Sequence, residues 1–182
     1  IVEVCSWDFA GAVEKRDALI KELGAFNPNQ FVNPVNVKCH KETTGREIIK
    51  QVSELGNEGI AAIVAGTGTG GTLMGVRAAL VEEFQVQTVA VEPSESAVMS
   101  GGEPGDHQIQ GIGDGFIPEI VNMDLVDTVV AVSTEDSIER MKKLSQELGL
   151  LVGISAGANV LAAERYIEEY KPAGVVVTIL PD

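Results

Sequence analysis

A run of glycines and threonines near the middle of the chain constrains its fold more than any other feature. The run extends from Gly66 to Thr72, after an apolar segment over 60–65 and before a helical pattern over 73–84. A strand that ends in glycines and opens a helix gathers several backbone N–H groups, and the helix dipole adds positive potential at the same point. The run therefore predicts a phosphate-binding turn between a strand and a helix.

Two kinds of phosphate fit this turn. The spacing Gly66-x-Gly68-x-x-Gly71 matches the dinucleotide fingerprint, and Glu92 follows about 20 residues later, where a ribose-binding acid would lie. In the other interpretation, residues 68–72 form a cup for a phosphate monoester, whose concentrated charge favours the hydroxyls of Thr69 and Thr72. A glycine-rich turn without any ligand is the third interpretation. The run by itself leaves the first two open.

Composition excludes several classes of protein. The chain has 182 residues and 45% hydrophobic content, which suits one good core. Its net charge of −14, with no basic patch, argues against nucleic acid and anionic membranes as partners. No apolar stretch is long enough to span a bilayer. Cys5 and Cys39 form neither a disulfide pattern nor a metal-site pattern, so we expect a cytoplasmic protein without a metal site.

Strands and helices alternate from residue 60 onward. This order predicts an α/β fold with a parallel sheet and helices on both faces. Before residue 60 we expect a strand, a helix, a proline-broken connection at a domain boundary over 26–34, and a second helix. The predicted strands cover 1–5, 60–65, 87–92, 126–132 and 175–180; the predicted helices cover 11–23, 43–55, 72–84, 134–148 and 155–170; and a long glycine-rich loop covers 94–118.

A second glycine-rich helix start carries a serine. Gly153-Ile154-Ser155-Ala156-Gly157 matches the nucleophile elbow of hydrolases, but that chemistry needs a histidine downstream and none follows Ser155. Ser155 could instead cap the helix, because serine is a preferred N-cap. It could also direct its hydroxyl at the ligand of the first glycine run. For His40, next to a predicted capping motif at Thr43 and Thr44, we expect a local hydrogen bond.

Taken together, the segments of the chain resemble the cysteine synthases (O-acetylserine sulfhydrylases), in the β-family of pyridoxal-phosphate enzymes. The resemblance covers nearly the whole chain, and its motifs occur in the family's order. They are residues 30–36, His40, 43–48, 68–72, 91–97, 107–113, 116–118, 149–155 and 179–182. The resemblance implies pyridoxal 5'-phosphate as the cofactor and a three-layer αβα arrangement, the fold of the tryptophan synthase β-subunit. It thereby favours the phosphate monoester.

The resemblance also implies roles for individual residues. Gln30 would bind the amino-acid carboxylate, and Gly111 would line the substrate side of the cleft. Ser155 would hydrogen-bond the pyridine nitrogen, with Pro181 near the same ring edge. The cofactor phosphate would lie in the cup of Gly68, Thr69, Gly70, Gly71 and Thr72.

The implied reaction is β-replacement, in which sulfide displaces acetate from O-acetylserine to give cysteine. The alternatives are a cystathionine β-synthase-like enzyme and a non-catalytic binding or regulatory protein. The family's Schiff-base lysine and substrate loop have no counterpart in the chain, which is therefore expected to be inactive by itself. We expect residues 1–32 to be a remnant of the smaller N-terminal domain and residues 33–182 to be the larger domain.

Two further expectations follow from the resemblance. Relatives are commonly homodimers, and some bind the C-terminus of serine acetyltransferase in the active site. Two residues depart from the family pattern: Asp114 stands where relatives commonly carry a small residue, and Arg46 stands where many carry proline. Neither departure removes a named role, but that of Asp114 affects the substrate side of the expected cleft.

Overall fold

The computed structural model describes Glu3, residues 9–56 and residues 59–181. The strand predicted over 1–5 falls, apart from Glu3, outside the described residues. Two short 3₁₀ turns, Ser94–Ser96 and Met123–Leu125, lie between β2 and β3. The regular elements in chain order are α1 (Phe9–Leu23), α2 (Pro34–Glu42), α3 (Thr44–Glu54), β1 (Ile60–Gly66), α4 (Gly71–Leu80), β2 (Gln87–Pro93), β3 (Thr128–Val132), α5 (Thr134–Leu148), α6 (Ile154–Tyr170) and β4 (Val175–Thr178).

The four described strands form one parallel sheet in the order β3-β2-β1-β4. In the register of the central pair, Val64 lies opposite Val89 and Gly66 opposite Val91. On the other side of β1, Val64 lies opposite Thr178. β1 and β2 are almost entirely buried, as expected for strands covered on both faces.

Helices cover both faces of the sheet and bury a separate core against each. Ile63 and Ala65 of β1 pack toward α3 and α4, with Leu73 and Leu80 of α4 in the same cluster. The alternate residues of β1, Ala62 and Val64, belong to the other cluster, which contains Ala158, Ala162 and Tyr166 of α6. Because successive side chains of a strand point to opposite faces of the sheet, β1 contributes residues to both cores. The predicted α/β fold with helices on both faces is confirmed.

Local signals set the ends of α5 as the sequence predicts. The Ser133 hydroxyl accepts a hydrogen bond from the Asp136 N–H at 3.0 Å, which satisfies one of the free donors of the first turn. Gly149 ends the helix in the left-handed region, with φ of 69°. A glycine takes this conformation at the least cost, so the helix ends there.

Helix α2 was not predicted. It begins immediately after the connection over 26–34, with Asn33 as its N-cap and Pro34 in its first turn. The Asn33 side chain accepts from the Val35 N–H at 3.0 Å. Since α2 has no buried residues, it lacks the apolar periodicity by which helices are recognised. The predicted cap at Thr43 is also different, because its hydroxyl donates back to the Cys39 carbonyl of α2.

The strand order places a crevice between β1 and β4. The chain leaves β1 through α4 toward β2 on one side, whereas β4 joins β1 on the other side after α5 and α6. Ligands of open parallel sheets bind outside the carboxyl ends of the strands at such a reversal. None of the helices in the described ranges is long and apolar enough to cross a membrane.

One buried amide joins the two strands at this crevice. The Asn159 side-chain oxygen accepts from the Gly66 N–H at 2.7 Å, and its Nδ2 donates to the Ile179 carbonyl at 2.8 Å. Asn159 is only 2% exposed, so water cannot replace either bond. This side chain fixes the carboxyl ends of β1 and β4 relative to α6.

We therefore expect Asn159→Leu to destabilise the protein although leucine keeps the volume filled. It leaves a buried N–H and a buried carbonyl unpaired, at roughly 1–3 kcal/mol each. Urea unfolding should show the loss, and Gln146→Leu on the exposed face of α5 should stay within about 0.5 kcal/mol of the parent. Equal stability of the two variants would contradict this role for Asn159.

Candidate cofactor site

The predicted cup forms the connection between β1 and α4. Gly70 is in the left-handed region with φ of 82°, and α4 begins at the next residue. A Cβ on Gly70 would lie 2.1 Å from a methyl of Val121, and one on Gly68 would lie 2.2 Å from the Gly111 carbonyl oxygen. Both positions therefore require glycine. The N-cap residue Gly70 offers no side-chain hydrogen bond to the first turn of α4, whose N–H groups lie at the half-buried mouth of the turn, where an anion would be stabilised.

Two threonine hydroxyls flank the cup, and each is held by a nitrogen from α2. Asn36 Nδ2 lies 3.0 Å from Thr69 Oγ1, and His40 Nε2 lies 3.3 Å from Thr72 Oγ1. The Gly71 N–H also donates to Thr69 Oγ1, at 3.3 Å. The cup thus combines backbone donors with two hydroxyls and contains no carboxylate. This donor set fits a phosphate group.

A neighbouring loop closes one side of the cup. The Gly113 N–H donates to the Thr67 carbonyl at 3.1 Å, and the Thr67 N–H donates to the Val91 carbonyl at 3.0 Å. Gly111, in the same loop, is exposed and has φ of 90°. Its carbonyl lies against Gly68, so the predicted substrate residue Gly111 is adjacent to the predicted cup.

Gln30 lies on another side of the cup. Its backbone carbonyl accepts from Asn36 Nδ2 at 3.0 Å, and the same nitrogen donates to Thr69. One amide group therefore joins the segment of the predicted carboxylate-binding residue to the predicted phosphate cup. The Gln30 residue itself is exposed.

Ser155 and Pro181 are brought together at the carboxyl ends of the strands. Ser155 is the second residue of α6 and is 7% exposed. The N-cap of α6 is Gly153, whose N–H donates to the Pro181 carbonyl at 3.0 Å. The capping interpretation of Ser155 is therefore wrong, because the residue lies inside the helix.

The hydrolase interpretation of Ser155 fails as well. Both histidines of the chain have other partners. His40 bonds with Thr72 and Thr44, and His107 bonds with the Gly113 carbonyl and the Ile109 N–H. Neither imidazole is positioned to activate the serine.

The dinucleotide interpretation depended on Glu92 as a ribose-binding acid, but in the structure this carboxylate bonds within the protein. Glu92 is 1% exposed at the end of β2. It accepts from the N–H groups of Met99 and Ser100, at 2.7 and 3.1 Å, and from the Ser100 hydroxyl. A carboxylate with three donors inside the protein anchors the following loop and does not bind a ribose.

Asp114 lies in a cleft beside the cup. The cleft has a volume of about 600 Å³ and is formed by Ser96 and residues 104–115. Burial raises the pKa of the Asp114 carboxyl, and the nearby His107 offsets part of this rise. The cleft therefore contains one half-buried acid that holds its proton more firmly than an exposed aspartate does.

Comparison with known proteins distinguishes between the dinucleotide and the phosphate monoester interpretations of the cup. A family model described as "Pyridoxal-phosphate dependent enzyme" matches residues 1–182. The chain belongs to this family. The cofactor of the family is pyridoxal phosphate, so the dinucleotide interpretation is wrong and the monoester interpretation of the cup agrees with the family.

Among the curated members of this family, a cysteine synthase of Staphylococcus aureus is 42% identical over 172 residues. The match covers 94% of this chain and 54% of the relative, so the chain spans about half the length of the curated relatives it matches.

Two solved structures from the same family have closely similar folds. A hydrogen sulfide-producing enzyme of Fusobacterium nucleatum has a TM-score of 0.89 at 37% identity, covering 96% of this chain and 52% of its own. An O-acetylserine dependent cystathionine β-synthase of Helicobacter pylori has a TM-score of 0.87 at 36% identity, covering 100% and 58%.

Sequence reasoning missed two polar residues of this site. Asn36 supports the cup from α2, and Asn159 joins β1 to β4. The spacing of Asn36 and His40, four residues apart after an Asn-Pro helix start, is a signal that could have identified α2. Nothing in the local sequence marks Asn159, whose partners are distant in the chain.

The packing of Gly68 yields a test of the cup. Gly68→Ala places a methyl 2.2 Å from the Gly111 carbonyl, so the loop must move. We expect cofactor affinity to fall at least tenfold, since a 1.4 kcal/mol loss suffices for that. Gly59→Ala is the matched control, because its Cβ would meet no atom of the described residues within 4 Å. Fluorescence titration of the complete, cofactor-stripped protein with pyridoxal phosphate measures both, and equal affinities would contradict the assignment.

Proposed function

We propose that the complete protein catalyses a pyridoxal-phosphate-dependent β-replacement, in which sulfide displaces acetate from O-acetylserine to form cysteine. The carrying observation is the cup at the crevice between β1 and β4, with backbone donors and the two supported hydroxyls of Thr69 and Thr72. The 42% identity to a cysteine synthase supports this choice of reaction within the family.

In this proposal different residues bind the cofactor phosphate, the pyridine nitrogen and the amino-acid substrate. Gly68, Thr69, Gly70, Gly71 and Thr72 hold the cofactor phosphate. When bound, the cofactor supplies an electron sink that allows a leaving group to depart from the β-carbon of the amino acid. Ser155 gives the pyridine nitrogen a neutral hydrogen-bond partner near Pro181, while Gln30 and Gly111 line the amino-acid side.

The proposal extends to the organisation of the complete protein. We take residues 1–32 as part of a smaller domain and residues 33–182 as the larger domain, in a cytoplasmic homodimer. The C-terminus of serine acetyltransferase is a candidate partner, since some cysteine synthases bind it. Support for these features comes from the family resemblance.

Ser155 offers the sharpest test of the primary proposal. Ser155→Ala removes one hydrogen bond and keeps the nitrogen neutral, so we expect a loss of up to about tenfold in cysteine formation, or ~1.4 kcal/mol. Ser155→Asp favours a protonated nitrogen and should cost much more. Rapid-mixing absorbance spectra of the complete protein with O-acetylserine, together with acetate and cysteine yields, distinguish the variants. Near-normal turnover of Ser155→Asp with none for Ser155→Ala would contradict the assignment.

A second candidate function is favoured by Asp114. In this reaction sulfide is the leaving group from the β-carbon of cysteine, and water replaces it to give serine and hydrogen sulfide. A carboxylate can take the proton of the attacking water, and burial raises the pKa of the Asp114 carboxyl, which makes its carboxylate a stronger base than that of an exposed aspartate. The solved hydrogen sulfide-producing enzyme supports this candidate. The family resemblance adds that Asp114 stands where cysteine synthases commonly carry a small residue.

Asp114→Asn separates the two functions. If Asp114 acts as a general base, sulfide release from cysteine should fall roughly 100-fold or more. Cysteine synthesis should fall much less, because sulfide needs no such base. Asp106→Asn, which removes an exposed carboxyl from the same cleft, is the control. Methylene blue detection of sulfide and ¹⁸O incorporation into serine measure the reaction. Unchanged release in Asp114→Asn would eliminate the candidate.

A further inference from the structure

Helix α2 presents two nitrogen-bearing side chains to the cup from one face. Asn36 and His40 are four residues apart and so lie one turn from each other on the helix. Each contacts a different threonine of the cup, Asn36 reaching Thr69 and His40 reaching Thr72. Neither side chain belongs to the cup itself.

The bonds of Asn36 fix the direction of the Thr69 hydroxyl. Asn36 Nδ2 faces the Gln30 carbonyl, which can only accept, so the side chain is oriented with its amide nitrogen toward Thr69. Thr69 Oγ1 then accepts from Asn36 Nδ2 and from the Gly71 N–H. With two donors directed at its oxygen, the hydroxyl proton is left to donate elsewhere.

His40 can do the same for Thr72. Its Nδ1 lies 3.0 Å from Thr44 Oγ1, and its Nε2 lies 3.3 Å from Thr72 Oγ1. Burial lowers the pKa of the His40 imidazole, which favours the neutral ring with one proton. If that proton is on Nε2, Thr44 donates to Nδ1, Nε2 donates to Thr72, and the Thr72 hydroxyl must donate outward. If the proton is on Nδ1, the directions are reversed: Nδ1 donates to the Thr44 hydroxyl, and the Thr72 hydroxyl donates to Nε2.

We propose that Asn36 and His40 are positioning residues that orient the protons of the Thr69 and Thr72 hydroxyls toward a phosphate monoester in the cup. The inference rests on the proposed cofactor site. A phosphate oxygen only accepts, so binding selects the arrangement with the His40 proton on Nε2. Preorganised donors cost no reorientation when the anion binds, which raises affinity.

Close packing holds α2 against α4 independently of these hydrogen bonds. A Cβ on Gly75 of α4 would lie 2.5 Å from the His40 Cβ and from the Val37 carbonyl oxygen. The backbones are thus in direct contact. Removal of the imidazole nitrogens by His40→Phe leaves this contact in place and deletes only the polar function.

A double-mutant cycle on cofactor affinity tests the inference. In the complete, cofactor-stripped protein, we expect His40→Phe to weaken pyridoxal phosphate binding roughly two- to tenfold, the effect of one net hydrogen bond. His40→Gln, whose amide can donate to Thr72, should restore most of it. In a Thr72→Val background, His40→Phe should weaken cofactor binding little further, because the Thr72 hydroxyl through which His40 acts on the ligand is already absent.

The outcomes separate this inference from the cup assignment. If Thr72→Val alone leaves the affinity unchanged, the cup assignment itself is wrong. If Thr72→Val weakens binding but the losses from Thr72→Val and His40→Phe simply add, only the positioning role is wrong. Lys38→Ala controls for damage to α2, because Lys38 is exposed and pairs only with Glu42 of the same helix in the described structure.

Histidine ¹⁵N NMR of the loaded protein gives a readout independent of affinity and activity. The His40 signals are assigned by their loss in His40→Gln. We expect a neutral ring protonated on Nε2, with an Nδ1 shift that changes in Thr44→Val. His107 is an internal reference, since its Nε2 must donate to the Gly113 carbonyl. A His40 ring protonated on Nδ1 in the loaded protein would overturn the proposal.

Discussion

The close approach of a neighbouring loop to the glycine backbone of the turn after β1 is the constraint on which the site depends. Gly68 lies against the Gly111 carbonyl, and Gly70 lies against Val121. Both neighbours belong to the long connection between β2 and β3. Since even one methyl would enter these contacts, the glycines determine where that loop can run. The same packing that opens a phosphate cup also places the predicted substrate residue Gly111 beside it.

The site also depends on the sheet topology, which brings the chain segments that follow β1 and β4 together. The reversal between β1 and β4 brings the cup at one strand end to the segment of Pro181 at the other. Asn159 closes this arrangement by bonding both strand ends from α6. The start of the same helix carries Ser155, so a single element positions a structural amide and a candidate ligand-binding hydroxyl.

The sequence was sufficient for the parts of the fold that bury apolar surface. Strands and helices from residue 60 onward show clear periodicity, and α5 carries explicit start and stop residues. Sequence patterns failed where polar contacts organise the chain. Glu92 matched a ribose-binding position but is enclosed by donors from residues 99 and 100, which no fingerprint spacing could reveal. The long loop over 94–118 was correctly predicted, but not its contacts with the cup.

Helix α2 shows why a functional element can be missed when helices are predicted from apolar periodicity. A helix with no fully buried residue leaves no clear apolar stripe in the sequence, and its informative residues are the polar ones that face a neighbouring site. Asn36 and His40 stabilise no core; their partners are hydroxyls at the edge of a cup that is complete only in three dimensions. The direction of a hydroxyl proton depends on which donors lie behind it. The affinity of the cup for an anion is therefore a property of α2 as much as of the glycine run.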